Sequence, residues 1–408
     1  LPDWVALEHS VAQILTQQEL HGWYFDERAA WKLESDLRTE LEELTQVLRN
    51  RHPFVAGSIF NPRRNNQTLG YVEATGRTEK HEHCKEIKEI QECSFTKLKE
   101  FNPTSRDHIA WILTSHYGWT PSSISSNGKP VIDEIVLKEI GTDIAMKLFR
   151  CLELKKMLGL LSVGVNAWLK LVTTSNRIHH HCSVATNTFR CSHRKPNLSQ
   201  VPSDEKFRKL FTASPGMVMC GADLAGIELR MLAHYLARYD GGRYADILLN
   251  GDIHQVNADK IGISRRDVKT VTYAFLYGAG DVKIGLSVDK QLSTNKARAR
   301  GKQVRAAFIE AIDGLSELLQ AVKKRSASGT ILAIDGRKIF VDSQHKALNY
   351  LLQCSAGVIA KRWLLIADET LKEAGLSTHQ LAFIHDELQY ECEPKDIDDV
   401  KFTLEHSA

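Results

Sequence analysis

"MVMCGADLAGIELRMLAHYL", Met217 to Leu236, carries the reading that decides the fold. Met217 to Gly221 is an apolar run of strand length, and an acid, Asp223, follows it closely. Beyond Gly226 the apolar residues recur at helical spacing. A carboxylate at the end of a buried strand is costly unless charged partners hold it. A second one stands in "QLAFIHDELQYECE", Gln380 to Glu393. There two short apolar strands flank a polar tip of His385, Asp386 and Glu387, the pattern of a hairpin. The bland reading makes both acids turn residues facing water. The compact polar tips, set between strongly apolar segments, argue instead for a shared task.

If the two strands adjoin, Asp223 and Asp386 jointly hold divalent metal ions about 3.5 to 4 Å apart. Oxygen ligands of this kind suit Mg²⁺, and Glu387 would orient the pair. "RRDVKTVTYAFLYGAG", Arg265 to Gly280, then acquires a purpose. Arg265, Lys269, Tyr273 and Tyr277 are spaced by four, so at about 100° per residue they share one broad face of a helix. Two cations followed by two phenols make a poor core stripe. They make a good surface for phosphates at one end and a flat ring at the other. Arg265 and Lys269 would hold the phosphates of a nucleoside triphosphate, with Lys269 as a proton donor to the leaving pyrophosphate. Tyr273 would stand beside the sugar and Tyr277 nearer the base. His254, just upstream after Asp252, would donate to a phosphate oxygen, although a lone histidine is more often structural.

The 408 residues suffice for two or three domains with real cores. Lys+Arg 53 against Asp+Glu 50 leaves a formal charge of +3. Near balance neither demonstrates nor excludes a nucleic-acid partner, because clustering on one face is what matters. The 8 cysteines are scattered without a C-x-x-C knuckle, which reads as incidental use in a reducing compartment. His81, His83, Cys84 and Cys93 raise zinc, but their irregular spacing reads as an ordinary solvated loop. No apolar run is long enough to cross a bilayer, and Asp3 and Glu8 interrupt any leader-like start. A soluble intracellular protein is the expectation.

Along the chain, the first segment reads as a helix ended by Gly22, and residues 27 to 50 as a helix with a stripe of Leu33, Leu37, Leu41, Leu44 and Leu48. Residues 51 to 100 are polar and rich in Lys and Glu, and read as an inserted, mobile, partly ordered excursion. A helix restarts after Thr104 or Ser105, and another covers residues 142 to 162. Residues 252 to 324 are predominantly helical; "GRKIFVD" from Gly336 is strand, and a long helix runs from about Leu348 to Glu373. Helices enclosed by strand-bearing segments predict an α+β core with a large helical insertion.

At this point a resemblance enters. "DLAGIELR", "RRDVKTVTYAFLYG" and "HDE" resemble the three polymerase motifs of the family A DNA polymerases, the family of bacterial DNA polymerase I. "NGDIH", "FNPTSRDHI", "LYGAGDVKIG", "DGRKIFV" and "ALNYLLQCSAG" resemble the replicative polymerases of short-tailed phages within that family. The resemblance runs from "QQELHGWYFD" to the hairpin at Asp386. It implies a right-hand fold: a lead-in to about residue 26, a thumb over about 27–170 with the insertion, a palm over about 171–250 and 336–408, and fingers over about 251–335. It implies a DNA-directed DNA polymerase that extends a primer 3′-OH with two Mg²⁺ ions. Asp223 and Asp386 match the metal-binding aspartates, with the Leu224 carbonyl as an added ligand. Arg265, Lys269 and His254 match the triphosphate-binding group, Tyr273 the position beside the sugar and Tyr277 the one that closes on the templating base. Glu228 matches the acid that hydrogen-bonds Tyr273 and blocks a ribose 2′-OH. A Tyr at the Tyr273 position implies tolerance of dideoxynucleotides, and a Phe rejection. Arg337, Asn349 and Gln353 match residues near template or primer, His385 a primer-end contact, and Asn197 and Gln200 in "PNLSQVP" a DNA-contacting turn. Arg190 remains available for DNA, and Glu387 belongs to the same tip.

The sequence departs from the family at three points. Relatives usually show Thr-Gly-Arg before the "PNLSQVP" turn; this chain has Thr188, Phe189 and Arg190, which puts the local backbone in question. No exonuclease domain precedes the thumb, so no proofreading is expected, and relatives continue past the hairpin with a further palm segment. The expected partners are primer–template DNA and dNTPs, with a helicase-primase or a processivity factor at the insertion as weaker candidates. Arg63, Arg64, Arg77 and the lysines from Lys80 onward would otherwise follow DNA phosphates. A monomer without membrane contact is expected, in the cytoplasm of an infected host cell if phage-encoded. Two rivals stay open. A single-subunit RNA polymerase shares the palm and its aspartates, and Glu228 beside Tyr273 argues against it. A non-catalytic DNA-binding protein on the same fold is opposed by Asp223, Asp386, Lys269 and Arg265 being present together.

Overall fold

The computed structural model describes residues 2–66, 68, 70–80, 94–290 and 292–408. His81, His83, Cys84 and Cys93 lie outside the described residues. The chain divides into two compact units, Leu1–Trp31 with Val165–Ala408, and Lys32–Gly164.

The larger unit is organised by a three-stranded antiparallel sheet whose central strand, Glu387–Cys392, lies between Val218–Asp223 and Thr378–Ile384. Alternation explains its placement. Leu388 and Tyr390 point into the core, at most 1% exposed, while Val218–Asp223 alternates half-buried and exposed residues. The strand runs to Asp223 itself, two residues beyond the apolar run that marks it in the sequence, because cross-strand pairing with Glu387 carries it on. The Ala347–Glu373 helix packs under the unit with Leu348, Leu351, Leu352, Val358 and Leu364 buried. The first helix, Asp3–His21, packs on that helix and on Thr378–Ile384. It ends where Gly22 takes a φ of 70°, a conformation glycine adopts without steric cost.

Among the described residues, seven further helices between Ile227 and Ser326 fill the middle of the unit, among them Ile227–Asp240, Ile253–Ile261 and Arg265–Leu276. The helices Asp281–Val288 and Thr294–Ala311 touch backbone to backbone. A Cβ on Gly285 would overlap the carbonyl of Ala297, and one on Gly301 the carbonyl of Asp281. Only glycine permits that approach.

The smaller unit has its own core, formed by Leu48, Val55, Phe101, Ile109, Leu113, Leu137, Leu148 and Leu152. Its helices are Arg106–Tyr117, with Ser105 at the N-cap position, Glu134–Ile140 and Asp143–Leu158. The excursion expected as mobile and partly ordered over 51 to 100 contains more regular structure, where described, than its composition suggests. Among its described residues, Phe54–Phe60 pairs with Phe95–Glu100, and Arg64–Asn66, Gly70–Val72 and Thr78–Glu79 form a three-stranded sheet. Each strand is too short to show periodicity in a charged sequence, yet Val55, Phe60, Tyr71 and Val72 are at most 3% exposed. Burial of those few residues pays for the order that composition argued against. No described helix is long and apolar enough to cross a membrane.

A buried carboxylate joins the first helix to the sheet. Glu391, 1% exposed, accepts a bond from His21 at 2.6 Å and from the Ser214 backbone N–H at 2.7 Å. Burial alone would push its carboxyl up; the bonds from His21 and Ser214 outweigh it and hold it at about 2.

Two predictions follow from this packing. Gly301→Ala should destabilise the protein by about 2 to 3 kcal/mol in urea titrations, because backbone overlap finds no relief in a rotamer change; an unchanged midpoint would contradict the helix crossing. Glu391 has a folded value below its unfolded one, so its contribution is full above about pH 4.5 and is lost as pH falls toward 2. Glu391→Gln should therefore cost up to about 3 kcal/mol at pH 7, with parent and variant converging as urea titrations are moved from pH 6 to pH 3.

Candidate active site

The end of the sheet gathers carboxylates. Asp223 closes its strand directly opposite Glu387, and the backbone N–H of Leu224 donates to the Asp386 carbonyl at 3.0 Å. Asp386 belongs to the two-residue turn between Ile384 and Glu387, whose first residue, His385, has a φ of 60°. A non-glycine residue held there is strained, as side chains at functional sites often are. The two strands therefore adjoin as the sequence required. Burial, then the charges of Glu228 and Asp223, push the Asp386 carboxyl up to about 6. Burial, then Glu387 and Glu228, push Asp223 up as well. Carboxylates that raise one another in this way have a use for a cation. Among the described residues no three His, Cys, Asp or Glu side chains close on one point. Two carboxylates at a strand end are hard oxygen donors, the type that suits Mg²⁺, an ion that keeps water and substrate oxygens in its shell.

The helix Arg265–Leu276 begins at Ser264, whose hydroxyl accepts from the Asp267 N–H. Arg265 donates through Nε to Asp252 at 2.7 Å. The same Asp252 caps the helix Ile253–Ile261 by accepting from the backbone N–H groups of His254 and Gln255, and the Arg265 bond leads in holding its carboxyl below the usual range. His254 is buried with its Nδ1 unpartnered, and its ring centre lies 6.3 Å from that of Tyr273. Burial, then Arg265, hold the His254 imidazole below its ordinary value, so it stays neutral. Lys269 is exposed and forms no ion pair among the described residues. Burial, then the charges of Glu228, Asp386 and Asp223, raise the Tyr273 phenol. Arg265, Lys269 and Tyr273 stand on one helix, with the His254 ring beside Tyr273.

Glu228 corrects the expectation drawn from the resemblance. It sits in the first turn of Ile227–Asp240, 6% exposed, and is bonded by Tyr277 and Arg190 instead of Tyr273. The Tyr277 hydroxyl donates to it at 2.9 Å. The reason is that the helix ends at Leu276, so Tyr277 leaves the regular face with a φ of −84° and ψ of 10°. A buried carboxylate also needs a charge, which Arg190 supplies. Burial pushes Glu228 up, but the Arg190 charge and the two bonds outweigh it and hold it below the ordinary range.

The proposed nucleic-acid contacts divide. Gln200 is exposed and Gln353 half-buried. Asn197 caps the short turn Leu198–Gln200, accepting from the Ser199 N–H at 3.1 Å. Glu387 is held by Gln389 beside Asp223. His385 keeps an unpartnered Nδ1 at the hairpin tip. Arg190 is engaged with Glu228. Two expectations are overturned. Asn349 is buried and donates to the carbonyl of Leu276, closing the end of the Arg265–Leu276 helix, because a helix end inside a protein needs such a partner. Arg337 is 1% exposed and pairs with Glu8 and Asp335. Asp335 is a local partner, two residues away, but Glu8 and Lys361, which complete that burial, carry no local sequence signal, since residues 8 and 361 meet only in the folded chain.

Comparison with known proteins gives a consistent result. Residues 73–408 match the sequence model of DNA polymerase family A. The DNA-directed DNA polymerases of Escherichia phage T7 and Enterobacteria phage T3 are 33% and 32% identical over 96% of this chain. The chain spans 64% of the length of each of those relatives. DNA polymerase I of Pseudomonas aeruginosa is 26% identical over 72% of this chain and 34% of its own. Among solved structures, the POL domain of Pol1 from M. smegmatis, in complex with DNA primer–template and dNTP, superposes with a TM-score of 0.74. It shares 20% identity, over 98% of this chain and 66% of that one.

Proposed function

The chain belongs to DNA polymerase family A, and from that premise we propose that it is a template-directed DNA polymerase that adds deoxynucleotides to a primer 3′-OH. The observation that carries the proposal is the juxtaposition of Asp223, at the end of one strand, and Asp386, in the turn beside it, with Tyr273 at the end of the face bearing Arg265 and Lys269. In this reading the sheet unit supplies the palm, about residues 171–250 and 336–408. The helices of about 251–335 are the fingers and residues 27–170 the thumb.

Asp223, Asp386 and the Leu224 carbonyl are the groups that would hold two Mg²⁺ ions, which supply charge stabilisation to the transferring phosphoryl group. Arg265 and Lys269 grip the triphosphate, and His254, neutral by burial, donates one hydrogen bond to it. Lys269, exposed and unpaired, is the group free to protonate the leaving pyrophosphate. Tyr273 borders the sugar. Glu228 closes the floor of that pocket, where a ribose 2′-OH would meet a carboxylate already committed to Arg190 and Tyr277. Gln200, Gln353 and His385 are the groups left to meet DNA. Release of Tyr277 from Glu228 would accompany its move toward the templating base.

Asp223→Asn or Asp386→Asn should abolish primer extension in Mg²⁺ while primer–template affinity, read by fluorescence anisotropy, stays within about threefold of the parent. Normal extension by either variant would sink the assignment. Tyr273→Phe should keep near-parental dNTP incorporation yet lose about 10- to 100-fold in dideoxynucleotide use, the effect of one hydroxyl's hydrogen bonding. Single-nucleotide insertion efficiencies check it, and equal terminator use by both proteins would remove the phenol from the sugar pocket.

A further inference from the structure

The residue that departs from the family pattern, Phe189, occupies an unusual place. Its φ is 55°, in the left-handed region where an aromatic side chain is strained. The turn is closed by the Phe189 N–H on the Thr186 carbonyl at 3.0 Å and by the Thr186 hydroxyl on the Arg190 carbonyl at 2.6 Å. Asn187 ties it to the Phe340 carbonyl at 3.0 Å. Relaxation of that backbone would swing Arg190, the next residue, away from Glu228.

What opposes relaxation is the Phe189 ring. The guanidinium carbon of Arg337 lies 4.8 Å from its centre and 5.5 Å from that of Trp4. Arg337 is itself immobile: it donates to Asp335 at 2.8 Å and to Glu8, and Glu8 is held from its other side by Lys361 at 2.7 and 2.8 Å. Arg337 and Lys361 are each 1% exposed, so this cation has no alternative partner in water. A desolvated cation over an aromatic face is the strong form of that contact. On the far side of the turn, Arg190 Cγ packs toward Gly357, 3.5 Å from where a Cβ would stand.

We propose that Phe189 is a positioning residue, whose stack on the buried Arg337 holds the turn so that Arg190 is aimed at Glu228 and the sugar pocket keeps its floor. The proposal rests on the polymerase reading for its consequence and on geometry alone for its mechanism. Sugar selectivity in this chain depends on a cation–π contact that touches neither substrate nor metal. The residue that replaces glycine is then part of the pocket's support, with Arg337 as its anchor instead of a DNA contact.

The experiment compares Phe189→Ala, Phe189→Gly and Phe189→Tyr with the parent. Gly removes the ring and frees the backbone of the turn, Ala removes the ring and keeps the strain, and Tyr keeps the stack. The expected dNTP-over-rNTP selectivity in single-nucleotide insertion is parental for Tyr and lower by about tenfold for Ala and Gly. In parallel, the guanidinium N–H NMR signal of Arg190, assigned with Arg190→Lys, should stay protected from water exchange in parent and Tyr and be lost in Ala and Gly. If Ala fails to fold, Gly carries the same test without the strain. Parental behaviour of Phe189→Gly in both measurements would overturn the proposal, since the turn alone would then position Arg190. Lower selectivity with an unchanged Arg190 signal would overturn it too. A parent that inserts no nucleotide would defeat the polymerase reading, and the Arg190 signal would still decide whether Phe189 orders that side chain.

Discussion

One backbone hydrogen bond, Leu224 N–H to the Asp386 carbonyl at 3.0 Å, joins the end of one strand to the tip of a hairpin. The register of the sheet makes that bond possible, since Asp223 lies opposite Glu387 and Ile384 closes on the same residue. The consequence is electrostatic. Asp223, Asp386, Glu228 and Glu387 are drawn into one neighbourhood where Arg190 is the cation that answers them. Burial and like charge together raise two of these acids, an arrangement that stability alone would not favour. The sheet, with the Asp3–His21 helix packed on Thr378–Ile384, is what holds the cluster against its own repulsion.

The remainder of the site follows from how each charge is balanced. Glu228 is neutralised by Arg190 and capped by Tyr277, so its position is settled before any substrate arrives. Arg265 is parked on Asp252, which also caps the neighbouring helix, and an exposed pair of this kind is weak enough to exchange for phosphate. Lys269 remains in water. The cations that would meet an incoming anion are thus exposed, whereas Asp386 is half-buried and Glu228 buried. This division separates a surface open to a triphosphate from a preorganised floor.

Buried ionic contacts also decide which basic residues face outward. Arg337 is enclosed by Glu8, Asp335, Trp4 and Phe189, and Asn349 by the end of a helix. Both types are familiar as nucleic-acid contacts, and both serve here as internal struts. Leaving either partner of the buried Arg337–Glu8 ion pair alone would cost several kcal/mol, about 3 to 5 by experience with other proteins.

Local sequence determined a good deal. The four-residue spacing of Arg265, Lys269 and Tyr273, the apolar run before Asp223 and the hairpin around Asp386 are near-neighbour patterns, and the elements they predict are present. Periodicity works for those segments because one face of each meets a core. It failed over 54–100, where strands as short as Thr78–Glu79 leave no period to read. Tertiary structure alone decided the partners: Tyr277 rather than Tyr273 on Glu228, Glu8 on Arg337, Asn349 on Leu276. Those pairs join residues 49, 329 and 73 positions apart. Sequence sets which groups must be satisfied when buried; only the packed chain, by fixing distances, chooses which partner satisfies each.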